Sequence, residues 1–110
     1  MTAPTYGRLA GVAATSTDAV LYAPASGRVA KGKVRITNRS TSADDTVRLY
    51  HVNAADVSSV GTDDYGAHLT LGPKQTVELD NEVVVYGHCL GCYSLNSTST
   101  FQFIGIVQDQ

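Results

Sequence analysis

Few residues in this chain have the types and spacing for chemistry, and His88-Cys89-Leu90-Gly91-Cys92 stands out among them. A Cys-x-x-Cys can be a redox pair or half of a zinc site. A redox pair of the thioredoxin kind needs its first cysteine at a helix start, where its pKa falls, whereas this pair sits among strand signals. Structural zinc takes four ligands, and no second Cys-x-x-Cys or His-x-x-x-His follows. His88 adds a third ligand at most, so a complete site would have to be shared across a symmetric oligomer, an arrangement the residues leave open. Positions 89 and 92 of a strand also point to opposite faces. The motif reads as small residues at a strand edge, and replacing both cysteines by serine is expected to leave folding nearly intact.

His51, His68 and His88 are scattered through strand-like segments, and no Gly-x-Ser-x-Gly elbow supplies a nucleophile. Asp44-Asp45 and Asp63-Asp64 lack the alternating carboxylates of a calcium loop, so both pairs read as solvated loop residues. Asn38-Arg39-Ser40 and Asn96-Ser97-Thr98 match the glycosylation sequon. The start, Met1 to Arg8, has no charged segment followed by an apolar run, so these are read as turn residues. Six tyrosines and no tryptophan offer one candidate aromatic platform for sugar, Tyr86 with Tyr93. The sequence predicts no catalytic, cofactor-binding or metal-binding residue.

The elements around these residues are strands. Val34, Ile36, Val47 and Leu49 alternate with Lys33, Arg35, Thr37, Thr46 and Arg48, the period that puts one face in a core and the other in water. Between them, residues 38–45 are turn formers whose side chains bond their own backbone, and a β-hairpin is the direct reading. Further strands are predicted at 9–15, 19–23, 65–71, 76–80, 82–86, 89–95 and 101–107. Residues 53–64 read as a loop with one helical turn near 54–58. Short strands broken by turns about every ten residues indicate a sandwich or barrel. The predicted core is Val34, Ile36, Val47, Leu49, Leu69, Leu71, Val77, Leu79, Val83, Val85, Phe101 and Phe103. Ile104 and Ile106 fall on the opposite face from Phe101 and Phe103, so that strand should be covered on both sides, in part by another subunit.

At 110 residues the chain is expected to form one domain, residues 9–110, with an extended, flexible arm at 1–8. A chain this long buries about two thirds of its unfolded surface without metal or disulfide staples. Charged residues make up 16%, below the usual quarter, as suits a hydroxyl-rich or partner-covered surface. A net charge of -2 argues against nucleic acid, which selects a basic face. Arg28, Lys31, Lys33, Arg35, Arg39 and Arg48 nevertheless cluster in the first half; they form either a patch for an acidic partner or a solvated strand face. No apolar run approaches the length needed to span a bilayer, so the chain is expected to be made in the cytoplasm and to stay out of membranes.

From about Leu9 to Val107 the order of phrases resembles small β-sandwich virion proteins of tailed bacteriophages. The phrases are Tyr22-Ala-Pro-Ala-Ser-Gly27, the basic strand Lys33 to Arg39, Val47-Arg-Leu-Tyr50, Leu69-Thr-Leu-Gly-Pro73, Val77-Glu-Leu79, Gly87 to Ser94 and Phe101 to Ile106. The family's usual Gly-Asp before its late strand is here Gly87-His88, and Gly91 weakens that strand. The resemblance implies an all-β, jelly-roll-like antiparallel sandwich without enzymatic activity. The role it implies is capsid decoration (cement) or tail accessory, commonly as a trimer. A cement protein would bind the major capsid protein and itself and end on the virion surface. The alternative is a tail or adhesin module that binds host glycan. Tyr6, Arg8, Arg35, Arg48, Ile104 and Ile106 are the candidate assembly contacts, because aromatic and arginine side chains dominate interfaces and exposed apolar patches mark them.

Overall fold

The computed structural model describes residues 5–58, 60–61 and 64–109. These form eight strands: β1 (Thr5–Ala13), β2 (Ala19–Tyr22), β3 (Arg28–Asn38), β4 (Asp45–Val52), β5 (Tyr65–Leu71), β6 (Thr76–Val85), β7 (Cys89–Ser94) and β8 (Ser99–Asp109). They make two four-stranded antiparallel sheets, in the orders β1-β8-β3-β6 and β2-β7-β4-β5. This is the eight-stranded double Greek key of a jelly roll, so the all-β sandwich expected from the alternating pattern is the fold. The core between the sheets holds Leu21, Ala30, Val34, Ile36, Val47, Leu49, Leu71, Val84, Leu90, Cys92, Phe101 and Phe103.

The predicted hairpin is not one. β3 pairs with β6 and β8, whereas β4 pairs with β5 and β7 in the other sheet. The turn between them is an arch that crosses the sandwich, and buried polar side chains hold it. Asn38 follows Val34 and Ile36 in the inward register and is fully buried. Its amide donates to the carbonyls of Ala43 (2.9 Å), Leu71 (3.2 Å) and Gly72 (3.1 Å), and its carbonyl accepts from the Thr98 hydroxyl at 2.9 Å. Asp45 precedes Val47 and Leu49 on the same inward face. It accepts from the Ser94 and Ser99 hydroxyls and from the Asn96 N–H. Asp45 is therefore a buried hub, not the solvated loop carboxylate expected from the sequence.

Two more expectations change at the sheet edges. Thr5 to Arg8, assigned to an arm at 1–8, open β1 by pairing with Val107, Ile106, Gly105 and Ile104 in turn. Pairing there satisfies backbone groups that β8 would otherwise leave open. Residues 1–4 of that arm lie outside the described residues. The two strands predicted at 76–80 and 82–86 are one continuous strand, β6, which carries a bulge at Asn81 (φ 63°). Opposite it, the β3 register steps from Gly32↔Glu82 to Val34↔Leu79. One extra residue swaps the faces of everything beyond it. Val84 is therefore buried at 3% exposure, and Val83, expected in the core, is left at 48%. Val85 is half-buried, and so are Leu69, Val77 and Leu79, which pack on the rim of the core.

The segment 53–58 forms bends rather than the helical turn expected there. Val57 and Val60 anchor this loop over a second, smaller cluster of Tyr50, Val52 and Cys89, on the outer side of the β4–β7 pair.

Burial alone would raise the Asp45 pKa, but the hydroxyls of Ser94 and Ser99 and the Asn96 N–H outweigh it and hold the carboxyl below its ordinary value. A depressed folded pKa stabilises fully above the unfolded value of about 3.9, and that share is lost as pH falls through the folded value. Urea melts at about pH 6 and about pH 3 should therefore show an acid-side loss that Asp45→Asn diminishes. At neutral pH the same variant should cost about 2–3 kcal/mol, because it replaces an ionised acceptor of buried hydroxyls.

Candidate interaction face

Five of the six residues predicted as assembly contacts meet on one surface, the outer face of the β1-β8-β3-β6 sheet. In β8, Phe101, Phe103 and Val107 turn into the core, so Gln102, Ile104 and Ile106 point outward. Strand pairing lines up their neighbours. Tyr6 of β1 stands opposite Ile106, which stands opposite Lys31 of β3, and Lys31 opposite Val83 of β6. The next row runs Arg8, Ile104, Lys33. The third runs Gly11, Gln102, Arg35, Glu78. Ile104 and Ile106 are half-buried, while Tyr6 is 75% exposed. A short isoleucine stripe thus runs down the middle strand, with cations on both flanking strands.

Few carboxylates answer those cations. Glu78 lies 3.1 Å from Lys33 Nζ and 3.0 Å from Arg35 Nη2, serving both. The hydrogen bond from Lys33, then that from Arg35, lowers its pKa; exposed as it is, this cluster contributes little to stability. Glu82 is turned away, to His51 of the other sheet at 2.5 Å. The Arg8 side chain folds back over Gly11, whose lack of a Cβ leaves it room. Beside the Asn81 bulge the surface dips into a depression of about 570 Å³ lined by Lys31, Lys33, Val83 and Ile104, with Asp80, Asn81 and Glu82 at its β6 side. Its floor is Gly32, opposite Gly105. A Cβ on Gly32 would sit 2.1 Å from the Ile104 carbonyl oxygen, so β3 and β8 reach this approach only with glycine.

Arg48, the sixth candidate, belongs to the other sheet. Its guanidinium lies 5.1 Å from the Tyr65 ring centre and 4.8 Å from that of Tyr93, the geometry of a cation–π sandwich. Its Nε is buried without a hydrogen-bond acceptor, and among the described residues it is the rings and a bond with Tyr50 that hold the guanidinium. His68 meets the edge of Tyr65 at 5.7 Å. Tyr93 is thus engaged with Arg48 and not grouped with Tyr86, which stands 55% exposed beyond β6.

The cysteine motif falls on β7, an interior strand of its sheet rather than the edge expected for it. Cys89 enters the outer cluster and Cys92 the main core, on opposite faces as strand geometry requires. Gly91 between them is a packing requirement that the sequence alone did not disclose. The Tyr50 ring crosses it to donate its hydroxyl to Asp18 at 2.8 Å, and a Cβ there would come within 3.0 Å of that ring and 2.8 Å of Val57. Burial, reinforced by the bond to Asp18, pushes the Tyr50 pKa up to about 12. Among the described residues no three His, Cys, Asp or Glu side chains are placed to hold a metal ion. No family model matches the chain, and no curated protein or solved structure matches it either.

Burial pushes the Cys92 thiol up to about 12 and raises that of Cys89. Native protein should accordingly resist a thiol reagent at neutral pH and react fully only after unfolding. Cys92→Ser should lower stability by about 1–3 kcal/mol, since a hydroxyl would be buried among apolar side chains. This departs from the near-neutral outcome expected of a strand edge. Gly91→Ala should cost about 1–3 kcal/mol through overpacking against Tyr50 and Val57, read in the same denaturant melts.

Proposed function

We propose that this chain is a structural protein of a tailed-phage virion, a decoration (cement) protein that binds the major capsid protein lattice and itself as a homotrimer. It is made in the host cell, ends on the capsid surface and performs no catalytic step. The observation that carries the reading is the outer face of the β1-β8-β3-β6 sheet, where half-buried Ile104 and Ile106 run between cationic strands beside Tyr6 and Val83. Apolar side chains grouped this way on one surface mark protein contacts, and identical chains settle into closed cyclic assemblies. The phage resemblance of the sequence supplies the kind of particle. A sandwich with an uncovered sheet face suits that setting because the lattice can cover what one subunit leaves open.

A second reading, a tail module that binds host glycan, draws on Arg48 between Tyr65 and Tyr93, with His68 alongside. Arginine and stacked aromatics are groups that recognise acidic sugars.

Light scattering behind gel filtration should give a trimer for the native chain. Ile104→Ser with Ile106→Ser should keep both the trimer and the thermal melt. Added to undecorated phage heads, the native protein should sediment with them and the double variant should not. A monomer that stays off heads yet binds a glycan array through Arg48 would replace the first reading with the second.

A further inference from the structure

We propose that the isoleucine stripe of β8 is a docking track for an extended acidic and apolar segment of a partner protein. Such a segment would set its apolar side chains on Ile104 and Ile106 and its carboxylates between the cations of β1 and β3. The inference deepens the decoration reading by naming the chemistry of the surface that the face receives.

Charge arrangement selects this occupant. Arg8 flanks the stripe on one side, and Lys31, Lys33 and Arg35 flank it on the other. Among the described residues, β8 carries one carboxylate, Asp109 at its end, which pairs with Arg28. The others of this sheet stand on the far strand, β6, where Glu78 is shared by Lys33 and Arg35, Asp80 lines the depression and Glu82 is held by His51. A ligand lying along Ile104 and Ile106 therefore has cations on both adjacent strands, with the β6 carboxylates one strand farther out. Strand periodicity fixes the ligand pattern: residues two apart share a face. Ile104 and Ile106 thus call for two apolar groups at the same spacing, with acidic residues flanking them.

Shape agrees with charge. The Asn81 bulge leaves Val83 outward at 48% exposure, and the depression of about 570 Å³ beside it is lined by Lys31, Lys33 and Ile104 toward the stripe and by Asp80, Asn81 and Glu82 on its β6 side. Bulges recur where a strand re-aims side chains toward a site. A second copy is a poorer occupant, because stacking this face on itself brings its four central cations toward four more. An apolar segment without charge would desolvate these cations with only Glu78, shared by Lys33 and Arg35, to answer them, at a cost in free energy.

The test uses the full-length, isotope-labelled protein and two acetylated, amidated probes, Glu-Leu-Glu-Leu-Glu and Gln-Leu-Gln-Leu-Gln, in an NMR titration. The acidic probe should shift amides of β8 and the facing residues of β1 and β3, and the neutral probe should not. Raising the salt to about 0.5 M should weaken the response, as screening of exposed charges requires. Lys31→Glu with Lys33→Glu should weaken binding roughly tenfold. Because both side chains point outward, an unchanged thermal melt would confirm that the variant folds, and Ile104→Ser provides a charge-neutral second variant with the same expected loss. Equal response to both probes, shifts centred on Arg48, or no response at millimolar probe would overturn the proposal. Concentration-dependent shifts of these amides without any probe would overturn it in favour of a second copy. Head binding is scored separately by sedimentation, so this chemistry can fail while the decoration reading stands.

Discussion

The sandwich depends first on two buried polar side chains, Asn38 and Asp45, which stand where the chain leaves one sheet for the other. Their partners lie on several connections at once. Asn38 bonds the β3–β4 arch at Ala43, the β5–β6 turn at Leu71 and Gly72, and the β7–β8 turn at Thr98. Asp45 takes Ser94 and Ser99 from the two ends of β7–β8. The β1–β2 connection joins through backbone bonds, Ala14 to Ser99 and Thr15 to Ser94. Four crossings between sheets therefore converge at one end of the molecule. Each would expose unpaired backbone to an apolar interior without such partners. The network costs desolvation of a carboxylate, which is favourable only because its acceptor sites are filled by donors. In return the turn at 39–44 must cross the sandwich rather than fold back as a hairpin.

Much of this architecture was legible in the residues. Alternation in Val34-x-Ile36 and Val47-x-Leu49, continued in Phe101-x-Phe103, gave the strands and their buried faces because period two has only one physical meaning beside a core. Which strands pair was not legible, since alternation is the same in a hairpin and in an arch. The missing signal lay in parity: Asn38 and Asp45 occupy inward positions, as do Ser94 and Ser99. Polar residues on the core side of four strand ends announce a buried network, and turn chemistry alone disguised them as loop residues. Val83 was misplaced for a different reason. A bulge at Asn81 inserts one residue without interrupting the strand, and no local pattern in Val83-Val84-Val85 tells which valine turns inward.

The candidate contacts fared according to the same logic. Tyr6, Arg8, Arg35, Ile104 and Ile106 share a face because strand registers β1–β8 and β8–β3 bring outward positions into rows. Parity within the strand picked out Ile104 and Ile106, and side-chain type alone picked out Tyr6 and Arg8; the pairing then assembled them. Arg48 has the right parity and belongs to the other sheet, a fact set by the arch. Its two tyrosines come from β7 and from the start of β5, so only the folded topology could reveal them as its partners.

The two outer faces of the sandwich are treated unequally, and this asymmetry bears most directly on function. Over the β4–β7 pair the chain supplies its own cover: Val57 and Val60 pack on Tyr50, Val52 and Cys89. Tyr50 is fixed there by Gly91 below and Asp18 beyond. That cover reduces Tyr50 and Cys89 to 1% exposure and Val52 to 5%. Over β8 no described segment does the same for Ile104 and Ile106. Apolar burial stabilises by about 25 cal/mol per Å², so a partner that completes their burial gains free energy the isolated subunit cannot. Cations on both neighbouring strands narrow the partners able to collect that gain, because any ligand must answer their charge as it displaces their water. On the reading proposed above, the face left to charge and isoleucine is the side by which the chain attaches, because the other is closed by its own residues.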